Sequence, residues 1–199
     1  MAVAVNASGF ILKGVWGTNY YNANKKFNMT AGSPLVLVNG VVKRDLAGEN
    51  LPEWVYRVYG MNKKGILSYY VYPGGNKYDQ NKLISQKIIN DGVLNTFAFS
   101  PVLVYDGELK SSDTAKNIRQ GFCQIDSNNF VFITDKYSDA RNGFSYKELG
   151  EYMLSLGCKY GFNLDGGGST SLVYKDKNGQ PESIINPGRK IADIKYFHE

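Results

Sequence analysis

Short apolar runs separated by turn residues dominate the chain, and their spacing predicts many strands and few helices. Ala2 to Val5 reads as a buried strand that delivers the polar turn Asn6-Ala7-Ser8-Gly9 and then Phe10. Lys13 to Ala31 is rich in Asn, Tyr, Gly and Lys without either period, which predicts a long loop. Its Trp16, Tyr20, Tyr21 and Phe27 suit either stacking on a sugar ring or covering a sheet edge. Leu35 to Val38, Asn39-Gly40 and Val41-Val42 spell a hairpin, because Asn-Gly accepts the positive φ values of a type I′ turn. Strands follow at Val55 to Tyr59 and Ile66 to Tyr72, split by Asn62 to Gly65, and Pro73-Gly74-Gly75-Asn76 then breaks the pattern.

Leu83, Ile84, Lys87, Ile88 and Asp91 fit a short amphipathic helix with its apolar face inward. Thr96 to Tyr105 is the next apolar run, and Asp106-Gly107 turns it back. Arg119 to Ile125 and Phe130 to Thr134 read as strands, the second ending in Asp135. Ser145 with Glu148 is a capping box, and Tyr146, Leu149, Met153 and Leu156 recur at helical spacing with Gly157 as the stop. That helix leads into a strand from Tyr160 to Leu164 with Asp165 at its exit. Strands from Ser171 to Tyr174, at Ile184-Ile185 and from Ile191 to Phe197 complete the chain. The pattern implies an α+β domain with a mainly antiparallel, mixed sheet covered by helices. No linker, repeat or low-complexity tract interrupts it, so residues 1–199 read as a single domain. Because the chain opens almost inside a strand, the expectation is a domain excised from a longer or processed protein.

Composition narrows the chemistry. Twenty-three Lys and Arg stand against 18 Asp and Glu, a formal charge of +5 that favours an anionic partner. The basic residues are scattered, so no nucleic-acid face is expected, and a sugar phosphate or anionic glycopolymer satisfies the same charge. Cys123 and Cys158 are too few for a disulfide scaffold or a cysteine zinc site, and the single histidine, His198, stands at the extreme C-terminus. Carboxylates, Arg, Tyr and backbone amides are left to carry any reaction. Neither a membrane-spanning run nor a signal peptide stands in the sequence.

One stretch concentrates these groups: Phe162-Asn163-Leu164-Asp165-Gly166-Gly167-Gly168-Ser169-Thr170-Ser171. Consecutive glycines are tolerated where the backbone needs positive φ or where a ligand approaches main-chain N–H groups, and a tight turn between strands accounts for them as well. A dinucleotide fingerprint or P-loop would need a helix straight after the glycines, whereas strand residues follow here.

Asn163-Leu164-Asp165-Gly166-Gly167-Gly168-Ser169 resembles the signature of the phosphodiester glycosidase family. Asn6, Gly9 and Phe10 resemble its Asn-Gly-Gly-Phe-Phe element, with Ala7 and Ser8 departing from it. Pro101 to Gly107 is similar to its Gly-Pro-x-Leu-Val strand and Asp-Gly turn. Arg119-Gln120-Gly121 resembles its Arg-Thr-x-x-Gly strand with Gln120 for Thr, and Arg189, Ala192 and Asp193 resemble its closing Arg-x-Val-Ala element. The family also places an Asp at Asp135.

The resemblance implies an α+β fold, an extracytoplasmic or virion-associated setting, and hydrolysis of the bond between a sugar's anomeric carbon and a phosphodiester. On that reading Asp165 is the general base, the nucleophile or a metal ligand, Asp135 is a second catalytic candidate, and Arg119 grips phosphate through its planar fork. Gly166, Gly167 and Gly168 are anion donors, and Asn6, Gly9, Ser169, Thr170 and Arg189 contact substrate. Asp165, Asp135 and Asn6 also offer the hard oxygens that hold Ca²⁺ or Mg²⁺, so a divalent cation stays open. The rival reading is a carbohydrate-binding or host-recognition module of a cell surface or phage tail that keeps the cleft without turnover.

Overall fold

The computed structural model of the chain describes residues 3–8, 10–12, 29–31, 33–48, 56–75, 77–135, 139–186, 191 and 194–197. The chain divides into two compact units, one of Met1–Ala7 with Pro101–Glu199 and the other of Ser8–Ser100. Strand β1 (Val3–Asn6) belongs to the first.

In the Ser8–Ser100 unit, β2 (Phe10–Leu12) pairs with β3 (Met29–Ala31), so the stretch read as loop ends in strand. Trp16, Tyr20, Tyr21 and Phe27 lie outside the described residues. β4 (Leu35–Val38) and β5 (Val41–Asp45) form the expected hairpin, turned by Asn39 at φ 51° and Gly40 at φ 78°. β6 (Arg57–Asn62) lies between β7 (Leu67–Val71) and β8 (Val93–Ala98). The Thr96 hydroxyl ties β4 to β8, donating to the Leu35 carbonyl at 2.6 Å and accepting from the Leu37 N–H at 2.9 Å. Helix α1 (Tyr78–Asn90) buries Ile88 and packs Ile84 against a core of Leu35, Leu37, Val58, Tyr72 and Val93. Leu83 does not join it: that side chain is 69% exposed, because a residue one position before Ile84 points about 100° away around the helix.

The first unit resumes at β9 (Val102–Tyr105). Asp106 and Gly107 turn it, at φ 55° and 75°, into β10 (Glu108–Leu109). Then come β11 (Gln120–Gln124), β12 (Phe130–Thr134), helix α2 (Tyr146–Ser155) and β13 (Tyr160–Leu164). β14 (Leu172–Lys175), β15 (Pro181–Ile185) and β16 (Ile194–Phe197) follow. One sheet runs β10-β9-β13-β11-β12 and a second runs β15-β14-β1-β16. On one face of the first, Leu149 and Met153 of α2 enter a core with Leu103, Val104 and Ile133. Full burial of each stabilises by roughly 1.5–3 kcal/mol. Glycine lets the helix sit this close, since a Cβ at Gly161 would stand 2.5 Å from the Met153 sulfur. Cys123 of β11 and Cys158, just after α2, are joined by a disulfide across that core, with Cα atoms 5.8 Å apart. On the opposite face the Lys195 ammonium of β16 lies 3.5 Å over the Phe122 ring.

Mostly antiparallel sheets with two α-helices make this broadly an α+β architecture, and it differs in two respects from the single, mixed, helix-covered sheet expected. The described strands form five sheets, and every pairing among them is antiparallel. Helical packing on the sheets is chiefly that of α1 on β7 and β8 and of α2 on one face of the five-stranded sheet. Tight turns such as Asn39-Gly40 and Asp106-Gly107 join strands as antiparallel neighbours, whereas parallel pairs need long crossovers. No helix among the described residues is long and apolar enough to cross a membrane.

Candidate active site

Three ionisable residues singled out in the sequence meet at one end of the five-stranded sheet. β11 runs antiparallel to both neighbours, with Gln120 opposite Thr134 of β12 and Leu164 of β13. Just past these strand ends, Arg119 precedes β11, Asp135 follows β12 and Asp165 follows β13, which sets Arg119 between the two carboxylate-bearing positions. The backbone joins the first two, the Asp135 N–H donating to the Arg119 carbonyl at 3.0 Å. Side chains alternate along a strand, so all three share the face of Gly121 and Asn163, against which α2 packs. Both carboxylates are buried, Asp165 at 7% exposure and Asp135 at 4%.

Each is fixed by separate contacts. The Asp165 N–H donates to the Ala7 carbonyl at 2.9 Å, which brings the end of β1, and with it the backbone of Asn6, beside the carboxylate. Asp135 accepts the Phe144 N–H through Oδ2 at 3.1 Å. The Arg119 guanidinium lies 3.6 Å over the Tyr146 ring and donates through Nη2 to the Ala115 carbonyl at 3.2 Å. Its Nε is buried with no hydrogen-bond partner among the described residues, as is the Thr170 hydroxyl. Burial pushes the Tyr146 hydroxyl above its ordinary range; the Arg119 charge pulls it back, and the Asp113 and Asp165 carboxylates push it further up.

The three glycines do three different things. Gly166 passes so close to the Ile118 carbonyl that a Cβ there would collide with it. Gly167 takes φ 55°, a left-handed conformation natural to glycine, and Gly168 meets nothing within 4 Å of an added Cβ. The expectation that all three amides donate to an anion needs correcting, because the Gly167 N–H is spent on the Ile118 carbonyl at 2.9 Å. A single 3-10 turn, Gly167–Ser169, follows, with the Ser169 N–H on the Gly166 carbonyl at 3.0 Å and the Thr170 N–H on the Gly167 carbonyl at 3.2 Å. Of the three glycine N–H groups, that of Gly167 is thus the one held by a backbone carbonyl. Ser169 and Thr170 are buried beside them. Behind the loop, the buried Gln120 amide donates to the Ser171 carbonyl at 2.8 Å and the Thr134 hydroxyl at 3.0 Å.

Gly9 and Arg189 lie outside the described residues, as does the side chain of Asn6. Among the described residues no group of three or more His, Cys, Asp or Glu side chains could hold a metal ion. Sequence reasoning missed Tyr146, placed in the apolar stripe of α2, and the Ile118 carbonyl. Neither carries a local signal, since each meets its partner only through tertiary packing.

Gly166→Ala should destabilise the fold by about 1–3 kcal/mol, because the methyl group must displace backbone rather than a flexible side chain. Thermal unfolding checks this, with Gly168→Ala, whose Cβ meets open space, as the control. Equal melting temperatures for the two variants would contradict the assignment of the clash.

The model of the family described as phosphodiester glycosidase matches residues 3–198. The SPbeta prophage-derived protein YomE of Bacillus subtilis (strain 168) is 30% identical over 108 residues, covering 50% of this chain and 17% of that protein. Among solved structures, the zebrafish N-acetylglucosamine-1-phosphodiester alpha-N-acetylglucosaminidase catalytic domain, auto-inhibited by its pro-peptide, superposes with a TM-score of 0.64 at 17% identity over 99% of this chain. A hypothetical protein from Synechocystis matches at 0.41 and 17% identity over 90%. The chain spans 63% of the zebrafish chain and 48% of the Synechocystis one.

Proposed function

Since the chain belongs to the phosphodiester glycosidase family, we propose that it hydrolyses the bond between a sugar's anomeric carbon and a phosphodiester. The observation that carries this reading is the row at the sheet end: a guanidinium with a buried, unpartnered donor, just before β11, with buried carboxylates just past the two neighbouring strands. Glycosidic cleavage passes through an oxocarbenium-like state and calls for a carboxylate near the anomeric carbon, the role assigned to Asp165 as base or nucleophile. When the bond from carbon to phosphate oxygen breaks, the phosphodiester monoanion departs as a phosphomonoester and gains a second negative charge. A cation fixed beside it therefore binds the transition state more tightly than the substrate. Arg119 is that cation, with the Gly166 and Gly168 N–H groups and the Thr170 hydroxyl as further donors. Asp135 holds the start of α2 through the Phe144 N–H and lends its charge to the row. Asn6, Gly9, Ser169 and Arg189 are assigned to the sugar and the rest of the substrate.

The substrate class is a sugar-1-phosphodiester, either an N-acetylglucosamine conjugate of the kind named in the zebrafish enzyme or a wall polymer of the teichoic acid kind. The Cys123–Cys158 disulfide supports an oxidising, extracytoplasmic setting. Similarity to a prophage-derived protein favours a second reading, a host-recognition module that binds such a polymer without cleaving it. The purified chain, incubated with N-acetylglucosamine-1-phosphodiesters and wall teichoic acid fragments, should release free reducing sugar. Binding without release over a long incubation would overturn the hydrolase reading in favour of the module.

A further inference from the structure

We infer that Tyr146 is the positioning residue for Arg119, holding the guanidinium plane so that its remaining edge meets the phosphoryl group; this rests on the phosphodiester reading of the site. An arginine side chain carries about 2 kcal/mol of rotamer entropy, and a site that must bind an anion tightly gains if that freedom is removed beforehand. Two contacts remove it here. The ring lies 3.6 Å beneath the guanidinium carbon and fixes the plane, and the Ala115 carbonyl takes Nη2 at 3.2 Å and fixes one end. The buried Nε, without a partner among the described residues, is one of the donors left to be offered.

The ring is itself anchored from several sides. Tyr146 is the first residue of α2, behind a complete capping box between Ser145 and Glu148. The Lys147 N–H donates to the Asp113 carbonyl at 3.0 Å, Lys116 pairs with Glu148 at 2.7 Å, and Asn117 bridges to Phe144. The segment carrying Arg119 is thus stitched to the first turn of α2, and the ring packs against the core beneath it. As a neutral phenol the Tyr146 ring presents an electron-rich face to the cation.

The test uses ¹⁵N-labelled protein and inorganic phosphate as the probe. In the wild type the Arg119 Nε–H resonance, assigned by its loss in Arg119→Lys, should be shifted upfield by the ring and should move when phosphate is added. Tyr146→Leu should abolish the ring shift and weaken phosphate binding, and kcat/KM on a sugar-1-phosphodiester, by about 30-fold, the scale of a desolvated cation–π contact. Tyr146→Phe, which keeps the ring, should restore both to within about threefold. Should leucine unfold the start of α2, Tyr146→Met carries the same readings. A folded Tyr146→Leu or Tyr146→Met protein with the wild-type Arg119 resonance and phosphate affinity overturns the inference. Loss of phosphate binding on this substitution, with a wild type that never releases sugar, supports the positioning role and overturns the hydrolase reading instead.

Discussion

Asp165→Asn should lower sugar release from a sugar-1-phosphodiester by about 10³-fold or more while leaving the folded chain intact, the upper range for removing a positioned general base. Asparagine matches aspartate in shape, and the N–H that holds residue 165 to Ala7 belongs to the backbone, so its anchor survives the change. The substitution removes only the charge and the basicity. The measurement is a pair: turnover, and a thermal melt showing a cooperative transition like that of the wild type. Full turnover in a folded Asp165→Asn protein would remove Asp165 from the chemistry and shift attention to Asp135.

Arg119 separates phosphodiester chemistry from ordinary glycoside hydrolysis. Arg119→Lys keeps a positive charge but loses both the planar fork and the flat face that stacks on Tyr146, and should cost about 2 kcal/mol, or 30-fold, in kcat/KM. Arg119→Ala should cost about 10²–10³-fold, since the departing phosphate is left without its counter-charge. On an uncharged aryl glycoside of the same sugar both losses should shrink to a few-fold at most, because that leaving group offers the guanidinium no phosphate. Equal losses on the two substrates would make Arg119 structural and take phosphodiester specificity away from this row.

What the sequence disclosed was local. The Asn39-Gly40 turn, the Ser145–Glu148 capping box with its Gly157 stop, and the strand leading to Asp165 depend on neighbours a few residues apart, and each is found where it was read. The register that brings Arg119, Asp135 and Asp165 to one sheet end pairs residues as far apart as Gln120 and Leu164, and only the resemblance to a family put these residues on one list. Leu83 stays outside the core because Leu83 and Ile84 are adjacent apolar residues about 100° apart around the helix, and the sequence does not say which of the two directions meets the sheet. The amide of Gly167 was misread for a different reason. Glycine runs advertise accessible N–H groups, and composition holds no trace of the Ile118 carbonyl that claims one of them. The Cys123–Cys158 bond was equally hidden, two cysteines being compatible with free thiols or with a bridge.

The order in which these pieces become available during synthesis follows from β1. It lies between β14 and β16, and one of its neighbouring carbonyls holds Asp165, yet it is translated more than 160 residues before either partner strand. The Ser8–Ser100 unit has all its strands and α1 once residue 100 has left the ribosome, and it can close while the rest is still being made. β1 meanwhile waits with both edges open, the state in which strands find wrong partners. Chains stalled far enough beyond residue 100 for that residue to have left the ribosome should therefore resist a protease pulse within residues 8–100 alone, and the Asp165 anchor should become protected only once β14 and β16 have emerged, which places the Asp165 end of the sheet after the Ser8–Ser100 unit in the order of assembly.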